Sequence, residues 1–240
     1  LIYIHFYHEF IGAIMSVNFK HHFKHKKWGA LLLMSLAALS VPAHALEFSD
    51  IASEGEIKFF KERPDPGAYA YQSKVMITPE SLETGSVNIA TCHDKLDQIR
   101  KVVIVFNPER IQTIKIKSFN GMGSATVQNN EVELTDVAKG ASICIDLQSR
   151  ALDSLGMGQY KLNAGPLMRR YLDGYLPMSA SLSVQWPTNL LTVERTVPTA
   201  NDGVKINQNN QGIQLNMVFA GKMTTQIYLK QKQMVSQLGR

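Results

Sequence analysis

Met178-Ser179-Ala180-Ser181-Leu182-Ser183-Val184-Gln185-Trp186 alternates through its second half, with Leu182, Val184 and Trp186 apolar and Ser181, Ser183 and Gln185 polar. A period of two puts each set on one face of an extended chain, so the segment reads as a strand with one side against a core. Ile213, Leu215, Met217 and Phe219 repeat the pattern against Gln214, Asn216 and Val218. Further β-favouring segments surround these two, at residues 159–162, 190–197, 204–207 and 222–229. Asn201-Asp202-Gly203 and Asn209-Asn210-Gln211-Gly212 supply turn chemistry between them, and Ala220-Gly221 is expected to join the last two strands.

An earlier series has the same character, at residues 69–78, 87–92, 101–106, 113–118, 124–127, 132–134 and 142–147. Val102 to Phe106 is an unbroken apolar run, as in a strand covered on both faces, whereas Ile114 and Ile116 alternate with Lys115 and Lys117. Gln128-Asn129-Asn130-Glu131 predicts a tight hairpin, because Asn tolerates positive φ. Few windows keep a helical period for ten residues, so helices are expected only as short connections at 149–155 and 166–173. The expected class is all-β, with one or two antiparallel β-sandwich (Ig-like) units. A first unit would span 46–147, a linker with a short helix 148–160, a second unit 161–231 and a frayed tail 232–240. Cys92 and Cys144 have the spacing of the inter-sheet bridge of immunoglobulin domains. No Trp lies between them, and Ser142 stands where the tyrosine-corner residue would be, so membership of that family is not assigned.

Residues 20–45 have the grammar of a secretory leader. Four lysines, at 20, 24, 26 and 27, precede an apolar run at 28–41; Pro42 then breaks the helix and Ala43-His44-Ala45 offers small residues at −3 and −1. The run is shorter than the roughly 20 residues that cross a bilayer, so cleavage before Leu46 is expected in place of anchoring, with no stable membrane span afterwards. Residues 1–14 lie ahead of the first methionine, Met15, and read as an extension upstream of the true start. The localisation that follows is periplasmic or secreted.

Removal of residues 1–45 changes the inventory of chemistry. Of 25 basic and 20 acidic residues, four and one respectively precede Leu46, leaving 21 and 19. That balance removes the electrostatic case for nucleic acid. Six of seven histidines go with the leader, so only His93 remains. A multi-histidine metal site within one processed chain is thereby excluded, and no metal or cofactor is expected. Cys92 and Cys144 are the sole cysteines, which in an oxidising compartment predicts a disulfide between them. A free thiol at Cys92 beside His93 is the competing reading.

Leu167-Met168-Arg169-Arg170-Tyr171-Leu172-Asp173-Gly174-Tyr175 concentrates functional side-chain types. Two guanidiniums suit a carboxylate or phosphate and two tyrosines supply rigid contact area, so Arg169, Arg170, Tyr171, Asp173 and Tyr175 form the candidate binding site. The structural alternative pairs Arg169 or Arg170 with Asp173, Arg169 along one face if the segment is helical, while Tyr171, Leu172 and Tyr175 plug the gap between two sandwiches. As a binding site, the segment should tolerate Arg169→Ala and Tyr175→Ala without loss of thermal stability. Gly121-Met122-Gly123 and Gly156-Met157-Gly158 lack the lysine of a phosphate loop and read as turns. Neither a G-x-S-x-G elbow nor an S-x-x-K motif is present. Glu131, Glu133, Asp136, Asp146 and Asp173 are the acids available to a carboxylate-based mechanism.

The expectation is therefore an exported, non-catalytic binding, accessory or assembly module of the bacterial cell envelope that recognises a protein or glycan. The alternative is a carboxylate-based hydrolase of cell-wall or extracellular polysaccharide. A purely structural subunit is a third reading, which requires an unpaired strand edge suited to strand addition.

Overall fold

The computed structural model describes residues 2–6, 47–65 and 67–232. The leader at 20–45 and the tail from 233 lie outside the described residues. In chain order the strands are β1 (Ile2–Phe6), β2 (Ile57–Phe59), β3 (Ala70–Met76), β4 (Val87–Leu96), β5 (Ile99–Val105) and β6 (Ile111–Asn120). Next come β7 (Ser124–Gln128), β8 (Glu131–Val137), β9 (Ala141–Ser149), β10 (Leu152–Gly156), β11 (Gln159–Asn163) and β12 (Leu167–Tyr171). The series closes with β13 (Gly174–Tyr175), β14 (Met178–Gln185), β15 (Leu191–Val197), β16 (Val204–Asn209), β17 (Gly212–Gly221) and β18 (Gln226–Gln231). One short helix, α1 (Pro79–Thr84), joins β3 to β4. The chain is thus nearly all β, arranged in multiple, mostly antiparallel sheets.

The largest sheet runs β16-β17-β14-β3-β4-β9-β6, with β2 added to β17. A second runs β13-β12-β1-β5-β8-β7 and a third β10-β11-β18-β15. The alternation of β14 is realised residue by residue: Met178, Ala180, Leu182 and Val184 are buried, while the serines between them are partly exposed. Its neighbours are β17, antiparallel, and β3, parallel. That parallel pairing joins the two strand series within one sheet. One continuous core takes residues from both, from Tyr69 and Ile104 to Phe219 and Leu229.

Two expected helices are strands. Residues 152–156 form β10 because the Gly156-Met157-Gly158 turn, all three at positive φ, folds it back on β11. Residues 167–171 form β12, whose Leu167, Met168 and Arg169 are all buried, a pattern a surface helix cannot give. The last two strands also part company: β17 continues through Gly221 in the largest sheet, whereas β18 pairs with β11 and β15. Gly221, at φ 117°, is required there, since a Cβ would collide with the carbonyl oxygen of Glu56. Helix α1 has signals a sequence reader can use. The Thr78 hydroxyl accepts from the Ser81 N–H, Pro79 occupies the first turn and Gly85 closes the helix at φ 72°.

Cys92 and Cys144 stand directly opposite each other on β4 and β9, with Cα atoms 4.1 Å apart and sulfurs at bonding distance. The bridge therefore ties neighbouring strands of one sheet, unlike an inter-sheet immunoglobulin bridge. Since successive residues face opposite sides, His93 points away from it into the core, fully buried.

Candidate functional site

Strands β12 and β13 form a hairpin around the two-residue turn Leu172-Asp173, with Tyr171 opposite Gly174 and Arg170 opposite Tyr175. Its base is fixed by two polar locks. The buried Arg169 guanidinium donates from Nε and Nη2 to both carboxylate oxygens of Asp97, at 2.7 to 3.2 Å, and from Nη1 to the Pro177 carbonyl at 2.9 Å. Tyr175, 1% exposed, donates its hydroxyl to the Glu54 carboxylate, and its backbone pairs both ways with Ala52. Met168, Tyr175, Ala52 and Ala220 make a small second core beneath.

Four of the five sequence candidates are sorted by the fold, the Tyr171 side chain lying outside what the structure describes. Arg169 and Tyr175 face inward, Arg170 is partly buried, and Asp173 is exposed at the turn. Arg169 has its carboxylate partner 72 residues away in Asp97, so the alternative in which Arg169 pairs with Asp173 is replaced. With these partners, truncating Arg169 or Tyr175 is expected to lower stability. What the hairpin projects is Leu172, 64% exposed at φ 49°. Leucine in the left-handed region is sterically costly, and this side chain stays largely in solvent.

A second concavity, of about 540 Å³, opens between the end of β14 and the β16–β17 hairpin. Amides of Gln185, Asn207, Asn209, Gln211 and Gln214 line it, with no ionisable group among its lining residues. Trp186 borders it, and its buried indole N–H has no hydrogen-bond partner among the described residues. A third space, about 80 Å³ between Tyr71, Phe106, Leu147, Leu182 and Met217, has the volume of a few waters.

Several ionisable groups outside the hairpin are committed to the scaffold. The ring of His93 shares a 2.7 Å hydrogen bond between Nδ1 and the Tyr69 hydroxyl and meets the Tyr71 ring edge-on at 5.2 Å. Burial lowers its pKa to about 3 and raises that of Tyr71 to about 12. Cys92 carries no free thiol for it to activate. The Arg110 guanidinium beside Asp153, bonded at 2.9 and 3.2 Å, holds that carboxyl below its ordinary range, with Asn163 and Lys161 assisting. This cluster joins β10 to the start of β6; single sequence gave it no local signal, because Arg110 and Asp153 lie 43 residues apart. Glu133 pairs with Lys101 at 2.7 Å. Among the described residues no three His, Cys, Asp or Glu gather as a metal site, and no helix is long and apolar enough to cross a membrane.

No family model and no curated protein matches the chain. Among solved structures, the M1 zinc metallopeptidase from Deinococcus radiodurans is similar at 8% identity and a TM-score of 0.36, covering 75% of this chain and 43% of that one. A two-domain M1 zinc metallopeptidase variant bound to L-tryptophan gives 9%, 0.35, 75% and 44%. The chain thus spans less than half the length of these proteins, and similarity at this level transfers neither fold nor activity.

Proposed function

We propose that the protein is an exported β-sandwich module of the bacterial cell envelope that acts by binding a protein partner through the β12–β13 hairpin. Export rests on the leader at 20–45 and is in keeping with the Cys92–Cys144 bridge. The observation that carries the binding reading is Leu172: a bulky apolar side chain kept at positive φ and in solvent, on a turn whose base is locked by Arg169 and Tyr175. The two-residue turn demands positive φ at this position; that the residue filling it is a large apolar one left in solvent on a projecting tip supports its being a contact residue. Asp173 beside it adds a charge for orientation.

Leu172→Gly separates fold from function. Glycine relieves the left-handed backbone, so stability should hold or rise by about 1 kcal/mol. Capture of the partner from an envelope extract by the immobilised processed protein should fall at least tenfold. Undiminished capture by the glycine variant would remove the hairpin tip from the interface.

A glycan partner is the second reading, favoured by the amide-lined groove beside Trp186. Uncharged amides bond sugar hydroxyls in both directions as donors and acceptors. A glycan array, read for wild type and for Asn207→Ala with Gln214→Ala, separates it: signal lost in the double variant assigns the groove.

A further inference from the structure

The second sheet holds one strand that cleavage before Leu46 would remove. Strand β1 lies between β12 and β5, parallel to the first through Ile2↔Leu167, Tyr3↔Met168 and Ile4↔Arg169. It is antiparallel to the second through Tyr3↔Val105, Ile4↔Ile104, His5↔Val103 and Phe6↔Val102. Residues 2–6 precede the leader, so on the export reading cleavage before Leu46 removes them. Their removal would leave β5 paired outward to β8 and β12 paired outward to β13, with their inner edges facing across the lane that β1 fills.

That lane has definite dimensions and chemistry. Two inter-strand spacings make it roughly 9.5 Å wide, and five residues make it roughly 17 Å long. Its walls present rows of backbone N–H and C=O groups that need partners. The side chains along those walls are mostly apolar and buried, Val102, Val103 and Ile104 on β5 and Leu167 and Met168 on β12; the charged exception is Arg169, opposite Ile4 and paired with Asp97. The segment that occupies it, Ile2-Tyr3-Ile4-His5-Phe6, contains no Asp, Glu, Lys or Arg and is rich in β-branched and aromatic residues.

The geometry points to a strand-acceptor site: the processed protein takes into the β5–β12 lane an extended, uncharged, β-branched or aromatic segment of about five residues from a partner polypeptide, running parallel to β12. This rests on the export reading above and names the partner's chemistry. The chain's own remaining segments are unsuited. Gln233 to Arg240 offers only Met234, Val235 and Leu238 as apolar residues, and the stretch from Glu47 is already engaged through Ala52 and β2. The site adjoins the projecting hairpin, since β12 is both the lane's wall and the hairpin's first strand. One incoming polypeptide can therefore touch both.

The test uses the full chain expressed in an export-competent bacterium and recovered after processing. Intact mass comes first: a product beginning at Leu46 supports vacancy, whereas retained residues 1–14 overturn both the export reading and the empty lane. The probe is a synthetic peptide of residues 1–8, with an Ile4→Pro version that lacks a ladder donor. Saturable one-to-one binding is expected, with slowed amide exchange at 102–105 and 167–169, and at least tenfold weaker binding of the proline peptide. Equal binding of both peptides, or no protection at those amides, overturns the site while leaving export standing. A dimer in sedimentation with those amides already protected assigns the lane to a second copy and overturns the partner claim. Exposure of the same amides on deletion of residues 233–240 assigns it to the chain's own tail, with the same consequence.

Discussion

Lowering the pH should weaken this protein through one imidazole. His93 is fully buried between Tyr69 and Tyr71, and its Nε2 has no hydrogen-bond partner among the described residues. Desolvation lowers its pKa from 6.5 to about 3 in the folded chain. Between those values the unfolded chain binds a proton that the folded chain refuses. The contribution is therefore complete above pH 6.5 and is lost as pH falls towards 3, with a limiting slope of about 1.4 kcal/mol per pH unit. From pH 6.5 to 4 the loss is about 3 kcal/mol, a large share of the roughly 5–15 kcal/mol that holds a domain folded. Urea unfolding of the processed protein at pH 7, 6, 5 and 4 measures it, followed by the fluorescence of Trp186, the one Trp after residue 46. Carboxylates titrate over the same range, so the comparison is with His93→Gln. The difference between the two proteins should shrink steadily below pH 6.5. His93 is also the single histidine after residue 46, so its ring protons give one resolved NMR titration. A flat wild-type minus variant difference, or a folded-state midpoint near 6.5, would refute the argument.

Arg169→Ala should lower stability by about 2–4 kcal/mol in thermal or urea unfolding, because it leaves the Pro177 carbonyl and Asp97 without their buried donor; an unchanged midpoint would return Arg169 to the list of surface contacts. Replacing Cys92 and Cys144 together by Ala removes a cross-link over a sequence separation of 52 and should cost up to about 4 kcal/mol, read as a lower urea midpoint with no change in the strand signal of circular dichroism. Under alkaline conditions Tyr71, raised to about 12, and Tyr69, raised by burial, stay neutral in the fold. Stability is then complete below pH 10 and declines from 10 to 12, and Tyr71→Phe should flatten that decline in alkaline unfolding.

Local rules reached the strands and stopped at the contacts. The hairpin at 128–131 was legible because its turn needs positive φ and Asn129 supplies it, at 53°. β14 and β17 were legible because a half-buried strand writes its register as period two. β10 and β12 were not, because each is a short edge-region strand whose residues also suit a helix, and what decides between them is the partner strand. For β12 that partner is remote: Arg169 meets Asp97, and Leu167 bridges to Met223. The same non-locality explains the candidate site. Arginines and tyrosines in a row predict contact with something, yet burial alone says whether the something is another molecule or the chain itself. Here it divides the segment, assigning Arg169 and Tyr175 to the frame and Leu172 and Asp173 to the outside. A frame built this way suits a strand acceptor. The Arg169 guanidinium ties β12 to Asp97 and to the Pro177 carbonyl, and Tyr175 ties β13 to Glu54, so the hairpin is fixed by side-chain contacts that do not involve β1.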